Sequence, residues 1–380
     1  MNEIQIFQAF TDDYNLKLEK RLGSGGFGTV FEVKAENMNK TFAAKLIEKN
    51  DKYNESDLIL EFRGPNIVKV NKIYEKILTN RKQYSLILME KAPLNDLKSF
   101  SFKLRKENIL KYIFTNPFEM IGNNFIRFIV KQIVKGFETL YLANYTHFDF
   151  KPENSLIFNN IIIKLTDFGL LRNLNKIDKK LNKIQIPGGT RGYYPPEYYS
   201  CIDNKISVEE AIKIDYFSLG ATIFYIKYGE RMLKYEEFKD NFITANYMID
   251  LMKVAMDKIK TTKSNDKDFI NFLCKLIQFN PRDRLSFEEV HRNKWLNKNW
   301  NQILEVVEAN KSDEFKIIEE LNKSDFLFEK NKYINKRRKE IEKTKINAID
   351  NIEDNIEDNK NNNKMKEKHK INYHKFKLKL

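Results

Sequence analysis

At 380 residues the chain exceeds one average domain, and 42% hydrophobic with 13% aromatic residues is enough apolar mass for a sizeable core, which excludes global disorder. Two cysteines, Cys201 and Cys274, make neither a disulfide framework nor a metal cluster and fit a reducing compartment, cytosol or nucleus. The formal charge of +14 favours anionic partners; residues 331–380 hold 15 Lys+Arg against 8 Asp+Glu, about half of the excess, although an Asn/Lys/Ile bias along the whole chain is the plainer source of it.

Residues 1–16 read as a short leader, without the basic start and apolar run of a secretory signal. Alternating apolar positions run from Leu16 into a glycine-rich turn and out through Thr29–Val33, a strand–turn–strand pattern. Thr41–Ile47 is expected as a third strand, Asp51–Phe62 as a helix with Leu58, Ile59 and Phe62 on one side, and Ile67–Tyr74 and Tyr84–Met89 as two more strands. After Met89 the texture becomes helical, with helices expected over Asn124–Leu142, Asp215–Tyr228 and Lys267–Gln278. Their apolar runs are too short and too interrupted by charge to span a membrane. Ser101–Gly122 reads as an insertion of unassigned role. Beyond about residue 297 the chain is highly charged, with a tandem repeat at Asn351–Asp358; helix is expected in parts of 301–345 and disorder after about 347.

The chemistry concentrates in one run, His147-Phe148-Asp149-Phe150-Lys151-Pro152-Glu153-Asn154, followed by Asp167-Phe168-Gly169. A carboxylate, an ammonium and an amide share one loop, and a second carboxylate precedes a Phe-Gly turn. That is equipment for holding a nucleoside triphosphate with metal ions beside a hydroxyl. Upstream, Gly23-Ser24-Gly25-Gly26-Phe27-Gly28-Thr29-Val30 fits G-x-G-x-x-G-x-V, whose bare backbone can lie against phosphates. Dinucleotide-binding folds use a similar run, but there a helix follows; here the next residues are β-type.

In this order the motifs resemble the eukaryotic protein kinase family, serine/threonine branch, over about residues 17–296. The resemblance implies an α+β bilobal fold: a leader at 1–16, a small antiparallel β-sheet lobe with one helix at 17–89, a hinge at 90–93, a larger helical lobe at 94–296 and a tail at 297–380. It implies ATP and Mg²⁺. The glycine-rich run Gly23–Gly28, Val30, Ala43 and Leu156 would enclose the nucleotide. Met89 would be the gatekeeper, the backbone of Glu90 and Ala92 would meet the adenine edge, and Asp96 the ribose. Lys45 would hold the α/β-phosphates, fixed by Glu55, with Glu61 as the fallback. Asp149 would be the base that orients the acceptor hydroxyl, Lys151 would contact the γ-phosphate, and Asn154 and Asp167 would bind the metal. Thr190 would sit beside Asp149 and Lys151 and favour Ser/Thr acceptors; Glu197 would pair with Arg284, and Asp215 would brace the catalytic loop.

Two departures agree with each other. Phe148 stands where the family usually has Arg, and residues 167–189 contain no Ser, Thr or Tyr. Activity independent of activation-loop phosphorylation is therefore expected. The expected partners are protein substrates, with an anionic partner for the basic tail as a further reading; a monomer without a membrane span is expected in cytoplasm or nucleus. The alternative function is a pseudokinase scaffold on the same fold.

Overall fold

The computed structural model describes residues 2–26, 28–35, 40–49, 55–78, 81–106, 123–176, 183–200, 205–233, 245–261 and 266–298, all within the unit Met1–Ala309. Phe27, residues 107–122 of the expected insertion and the tail beyond Lys298 lie outside the described residues, as do the expectations attached to them.

The first sixteen residues, expected as a leader, contain a helix, α1 (Glu3–Tyr14). Asn2 caps it, its side chain accepting from the Gln5 amide while the Gln5 side chain accepts from the Asn2 amide. Ile6, Phe7 and Phe10 fall on one side and are buried. Five strands follow: β1 (Leu16–Gly25), β2 (Gly28–Ala35), β3 (Lys40–Glu48), β4 (Val70–Ile77) and β5 (Gln83–Glu90). They form one antiparallel sheet in the order β1-β2-β3-β5-β4.

Side chains alternate along a strand, so β3 sends Phe42, Ala44 and Leu46 to one face and Ala43 and Lys45 to the other. The first set joins Phe31 and Val33 of β2 and Ile6, Phe7 and Phe10 of α1 in a single core. Thus α1 covers the sheet face opposite the one that carries Lys45. The helix expected over Asp51–Phe62 is shorter among the described residues: α2 (Glu55–Leu58) and a 3-10 turn, Ile59–Glu61. The strand expected from Ile67 begins at Val70. Residues 66–68 instead join the second lobe, where Val68 N–H donates to Leu165 O and Leu165 N–H to Asn66 O.

The second lobe is helical: α3 (Leu97–Lys106), α4 (Asn123–Leu142), α5 (Glu197–Ser200), α6 (Val208–Tyr228), α7 (Ala245–Thr261), α8 (Lys267–Leu276) and α9 (Phe287–Arg292). Between these run β6 (Tyr145–Thr146), β7 (Ser155–Phe158), β8 (Ile162–Leu165), β9 (Arg172–Asn173), β10 (Lys183–Gln185) and β11 (Lys205–Ser207), paired β6 with β9, β7 with β8 and β10 with β11. In α4 the residues Ile126, Ile129, Val130, Ile133, Phe137 and Leu140 recur at helical spacing and are buried. Helix α6 is the centre of the lobe: its residues are buried on all sides from Ile214 to Lys227. It starts seven residues before the expected Asp215, at a capping box of Ser207 and Glu210. Ser101–Lys106, expected within an insertion, continue α3.

Candidate active site

The loop after β6 is fixed from below by α6. The Asp215 carboxylate accepts from the amides of His147 (2.7 Å) and Phe148 (2.9 Å) and from Thr146 Oγ1 (2.7 Å). Burial lifts the pKa of this carboxylate, and the neighbouring His147 and these donors counter it. The braced backbone holds Phe148 at φ +64°, a left-handed conformation rare for an aromatic residue. His147 is fully buried. Its Nε2 pairs with Thr166 O at 3.1 Å; a carbonyl can only accept, so Nε2 carries the proton and Nδ1 receives the Asp149 amide at 3.4 Å.

Asp149, Lys151 and Thr190 form a triangle. Lys151 Nζ lies 2.8 Å from Asp149 Oδ2 and 2.6 Å from Thr190 Oγ1, and the Thr190 hydroxyl donates to Asp149 Oδ1 at 2.7 Å. Asn154 Nδ2 donates to Asp149 O at 2.8 Å, which turns its amide oxygen away from that contact. The Thr166 amide donates to Asn154 O at 3.1 Å, so Asn154 and the neighbouring Asp167 sit on adjoining backbone.

A second charge cluster comes from the sheet. Lys45 Nζ lies 2.5 Å from Glu55 Oε2 and 2.7 Å from Asp167 Oδ1, and Glu55 Oε1 also accepts from the Phe168 amide at 3.2 Å. Glu55 is thus a partner of Lys45; the side chain of the fallback, Glu61, lies outside the described residues. Burial opposes the Lys45 charge, but Asp167 and Glu55 outweigh it and hold the ammonium above its ordinary range. Burial likewise works against charge on Asp167, and Lys45, with Lys151 and His147, holds that carboxyl below its ordinary value. Glu55 is driven the other way, upward, by burial. The Glu55 side chain is 2% exposed and that of Asp167 24%, so Asp167 is the one of the two that opens on the cleft.

The register of the sheet places the rest. Val30 lies opposite Lys45 and Ala43 opposite Met89. In the β1–β2 turn Gly25 faces Gly28; Gly28 has φ +125°, and a Cβ there would stand 2.2 Å from Leu46 O. At Gly23, Gly25 and Gly26 a Cβ would meet nothing within 4 Å among the described residues. Their lack of side chains has no packing cause there. Beside the turn opens a cavity of about 250 Å³, lined by Gly26, Gly28, Glu55 and Gly169 and by Glu3 and Ile6 of α1.

At the hinge, the Glu90 amide donates to Lys69 O at 3.0 Å, and its carboxylate accepts from Lys69 N and Lys164 Nζ. Any base contact by Glu90 therefore falls to its carbonyl. Asp96 caps α3, accepting from Ser99 N (2.9 Å) and Ser99 Oγ (2.8 Å), and it bridges to Leu156 of β7. Leu156, Asp96 and the hinge are thus brought to one edge of the cleft.

Glu197 and Arg284 meet in a buried two-pronged pair at 2.5 and 2.6 Å, and Arg284 also donates to Gln278 O and Phe279 O. Sequence reasoning gave no packing role to Phe148, whose ring is 1% exposed, and missed the Lys98–Glu153 pair (2.7 Å) beside the loop. Only the assembled fold shows both. For a divalent metal, no group of three His, Cys, Asp or Glu occurs among the described residues. Asp167 and the Asn154 amide oxygen are hard oxygen donors, and Mg²⁺ is commonly held by one or two such groups with phosphate and water completing the shell. The residues fit that ion.

A family model described as the protein kinase domain matches residues 16–296. The chain is 26% identical over 306 residues to an Aurora kinase of Saccharomyces cerevisiae, covering 76% of this chain and 70% of that protein. It is 25% identical to CBL-interacting serine/threonine-protein kinase 12 of Arabidopsis thaliana and 26% identical to cGMP-dependent protein kinase 2 of Mus musculus, spanning 55% and 36% of their lengths. A five-stranded antiparallel lobe joined to a helical lobe, with a family match over most of its length, settles the kinship: this chain belongs to the eukaryotic protein kinase family.

Proposed function

We propose that the protein transfers the γ-phosphoryl group of ATP to Ser or Thr hydroxyls of protein substrates, without needing a phosphate on its activation segment. The observation that carries this reading is the Asp149–Lys151–Thr190 triangle standing next to Asn154 and Asp167. The Thr190 hydroxyl donates to Asp149 Oδ1. That is the direction in which an acceptor hydroxyl would donate, so the site is shaped to receive one.

The acceptor oxygen forms a bond to the γ-phosphorus, and the bond from that phosphorus to the β–γ bridging oxygen breaks, releasing ADP. Asp149 orients the hydroxyl and takes its proton, while Lys151 balances charge on the transferring group. Lys45, held charged between Glu55 and Asp167, is placed to clamp the α/β-phosphates, and the glycine turn leaves room for them. Asp167 and Asn154 would hold Mg²⁺, which when bound supplies neutralisation of phosphate charge. Catalysis then rests on positioning and preorganised charge.

Independence from activation-segment phosphorylation is supported by Phe148 in place of the usual Arg and by the lack of Ser, Thr and Tyr in 167–189. No helix among the described residues is long and apolar enough to cross a membrane; a monomer is proposed, and the two cysteines fit a reducing compartment such as cytosol or nucleus. The basic tail beyond residue 331 is offered as a contact for an anionic partner.

The test is transfer of radiolabelled phosphate from Mg-ATP to a generic Ser/Thr substrate. Wild-type transfer that disappears in Asp149→Asn is the expected result. ATP binding with no transfer by the wild type would overturn it and point to a scaffold.

A further inference from the structure

We propose that Phe148 is a positioning residue: its buried ring clasps both described parts of the activation segment and so holds Thr190 at Asp149. This rests on the phosphotransfer reading above and deepens it, by giving the segment an anchor that is complete when the chain folds.

The ring belongs to one buried cluster with Leu170 and Leu174 from the first part of the segment, Ile184 from the second, and Ile206, Ala211 and Ile214 from β11 and α6. Ile184 is delivered by the β10–β11 ladder, where it stands opposite Ile206. Ile186 and Tyr198 pack around the same cluster. Backbone contacts reinforce it: Leu174 N–H donates to Asn144 O at 2.7 Å, and Arg172–Asn173 pair with Tyr145–Thr146. Gly189 passes so close to the Phe148 carbonyl that a Cβ would lie 3.2 Å from it.

The chain logic is short. Phe148 and Asp149 are adjacent. Five residues lie between Ile184, in the cluster of the Phe148 ring, and Thr190, bonded to the Asp149 carboxylate. One end of that stretch is pinned by apolar contact and the other by hydrogen bonds, on neighbouring residues of one loop. The loop itself cannot yield, because Asp215 holds the His147 and Phe148 amides. A cation at position 148 would enter this apolar cluster and would need a partner to be tolerated there. An aromatic ring needs only the surface it covers. Residues 167–189 supply that surface with Leu170, Leu174, Ile184 and Ile186 and contain no Ser, Thr or Tyr to carry a phosphate.

A merely structural core residue would lower stability and leave turnover per folded molecule alone. A positioning residue lowers kcat while the nucleotide site, built from other elements, keeps its affinity. Misplacement of a catalytic contact by about 1 Å costs about 10²-fold in rate. Phe148→Ala is therefore expected to lower kcat about 10- to 100-fold, with KM for ATP unchanged within about twofold. Phe148→Leu should recover most of kcat. Ile184→Ala, on the segment side of the same contact, should lower kcat by a smaller factor, and the double variant should lose less than the product of the two.

Amide hydrogen exchange of residues 183–190 in the full chain is the companion measurement, faster in Phe148→Ala and Ile184→Ala and restored in Phe148→Leu. It needs no activity. If the wild type transfers no phosphate, the functional reading fails while exchange still tests the clasp. If the wild type is active and both kcat and exchange are unmoved in Phe148→Ala and Ile184→Ala, the clasp is wrong and the functional reading stands. Should Phe148→Ala not fold, Ile184→Ala against the wild type carries the same comparison.

Discussion

Helix α1 lies ahead of the stretch matched by the family model, which begins at residue 16, yet it supplies three residues to the core of the first lobe. Phe7 and Phe10 are fully buried, and the Phe7 ring lies 4.5 Å from that of Phe31 on β2. Tyr14 stacks on Tyr74 of β4 at 3.8 Å, and Lys76 reaches Ala9 O (2.8 Å) and Asp13 (2.5 Å). The exposed charge contacts add little, since surface pairs contribute about 0–1 kcal/mol. The rings decide the matter: Phe→Ala in a core costs about 3–5 kcal/mol. At about 2–4 °C per kcal/mol for a domain of 150–250 residues, the low end of that cost lowers Tm by about 6–12 °C for Phe10→Ala. Deleting residues 1–15 should do at least as much, because it uncovers Phe31, Val33, Phe42, Ala44 and Leu46 together. The cavity beside the glycine turn also loses the wall formed by Glu3 and Ile6, but Lys45 lies on the other face of the sheet, so ATP binding per folded molecule should change little. Scanning fluorimetry with and without Mg-ATP measures both. A truncated chain with the Tm of the full chain would refute the placement of α1 in the catalytic lobe.

Two alanine variants of the glycine turn should part company. Gly28→Ala puts a Cβ against Leu46 O at a φ of +125°, so it should destabilise the apo protein by about 1–3 kcal/mol. Gly26→Ala meets nothing within 4 Å among the described residues, so apo Tm should hold while KM for ATP rises as the methyl intrudes on the phosphates; equal apo losses in urea melts would contradict this. The pH dependence has a worked sign. Asp167 is held below its ordinary 3.8, so its contribution to stability is present above that pH and is lost as pH falls through the lowered folded value. Lys45 is held above 10.5, so its contribution is present below that and lost as pH rises through the raised value. Glu55, pushed above 4.5 by burial, loses its contribution as pH rises through its own shifted value, which places the level stretch above it. The gap in urea midpoint between wild type and Asp167→Asn should be constant near neutrality and shrink below pH 3.8; a gap that widens on acidification would refute the assignment.

What was legible in the sequence is what chemistry demands of neighbours in the chain. The Asp149–Asn154 run and the glycine turn need particular residue types a few positions apart, so they can be read before folding. Strand β2 followed from alternation, because one face of it is covered; β3 and β5 are buried on both faces and are legible instead as short apolar runs. The start of α6 was equally legible and was missed: Ser207 and Glu210 are a capping box in plain sequence. Asp96 was assigned to a ribose, and its position just before Leu97 also marks the cap of α3. Other features were not legible, since they arise between distant segments. Ile6, Phe7 and Phe10 make a short apolar stripe that acquires meaning only against a sheet formed later in the chain. The shell of Phe148 is drawn from positions 170 to 214, and nothing local to residue 148 announces it.

The anchors of the site differ in kind, and that difference sets the last prediction. Asp215, Lys45 and Arg284 are charges whose partners lie in the same chain. A buried pair adds little net stability, whereas removing one member costs about 3–5 kcal/mol, so such pairs act to fix position. The remaining anchor, on the activation segment, is the apolar shell of Phe148. An Arg–phosphate anchor would exist only after a second enzyme had acted. Hydroxyls near the segment do not reopen that route: Thr190 is bonded within the triangle, Tyr193 is 2% exposed, and Tyr194 stacks on Tyr198 with centroids 4.6 Å apart. Protein treated with phosphatase until mass spectrometry finds no phosphate should therefore keep its kcat within about twofold, where loss of an activating phosphate elsewhere removes stabilisation worth far more. A tenfold or larger fall, restored on rephosphorylation at Tyr193 or Tyr194, would show that the apolar shell is insufficient and that a charge completes the segment after all.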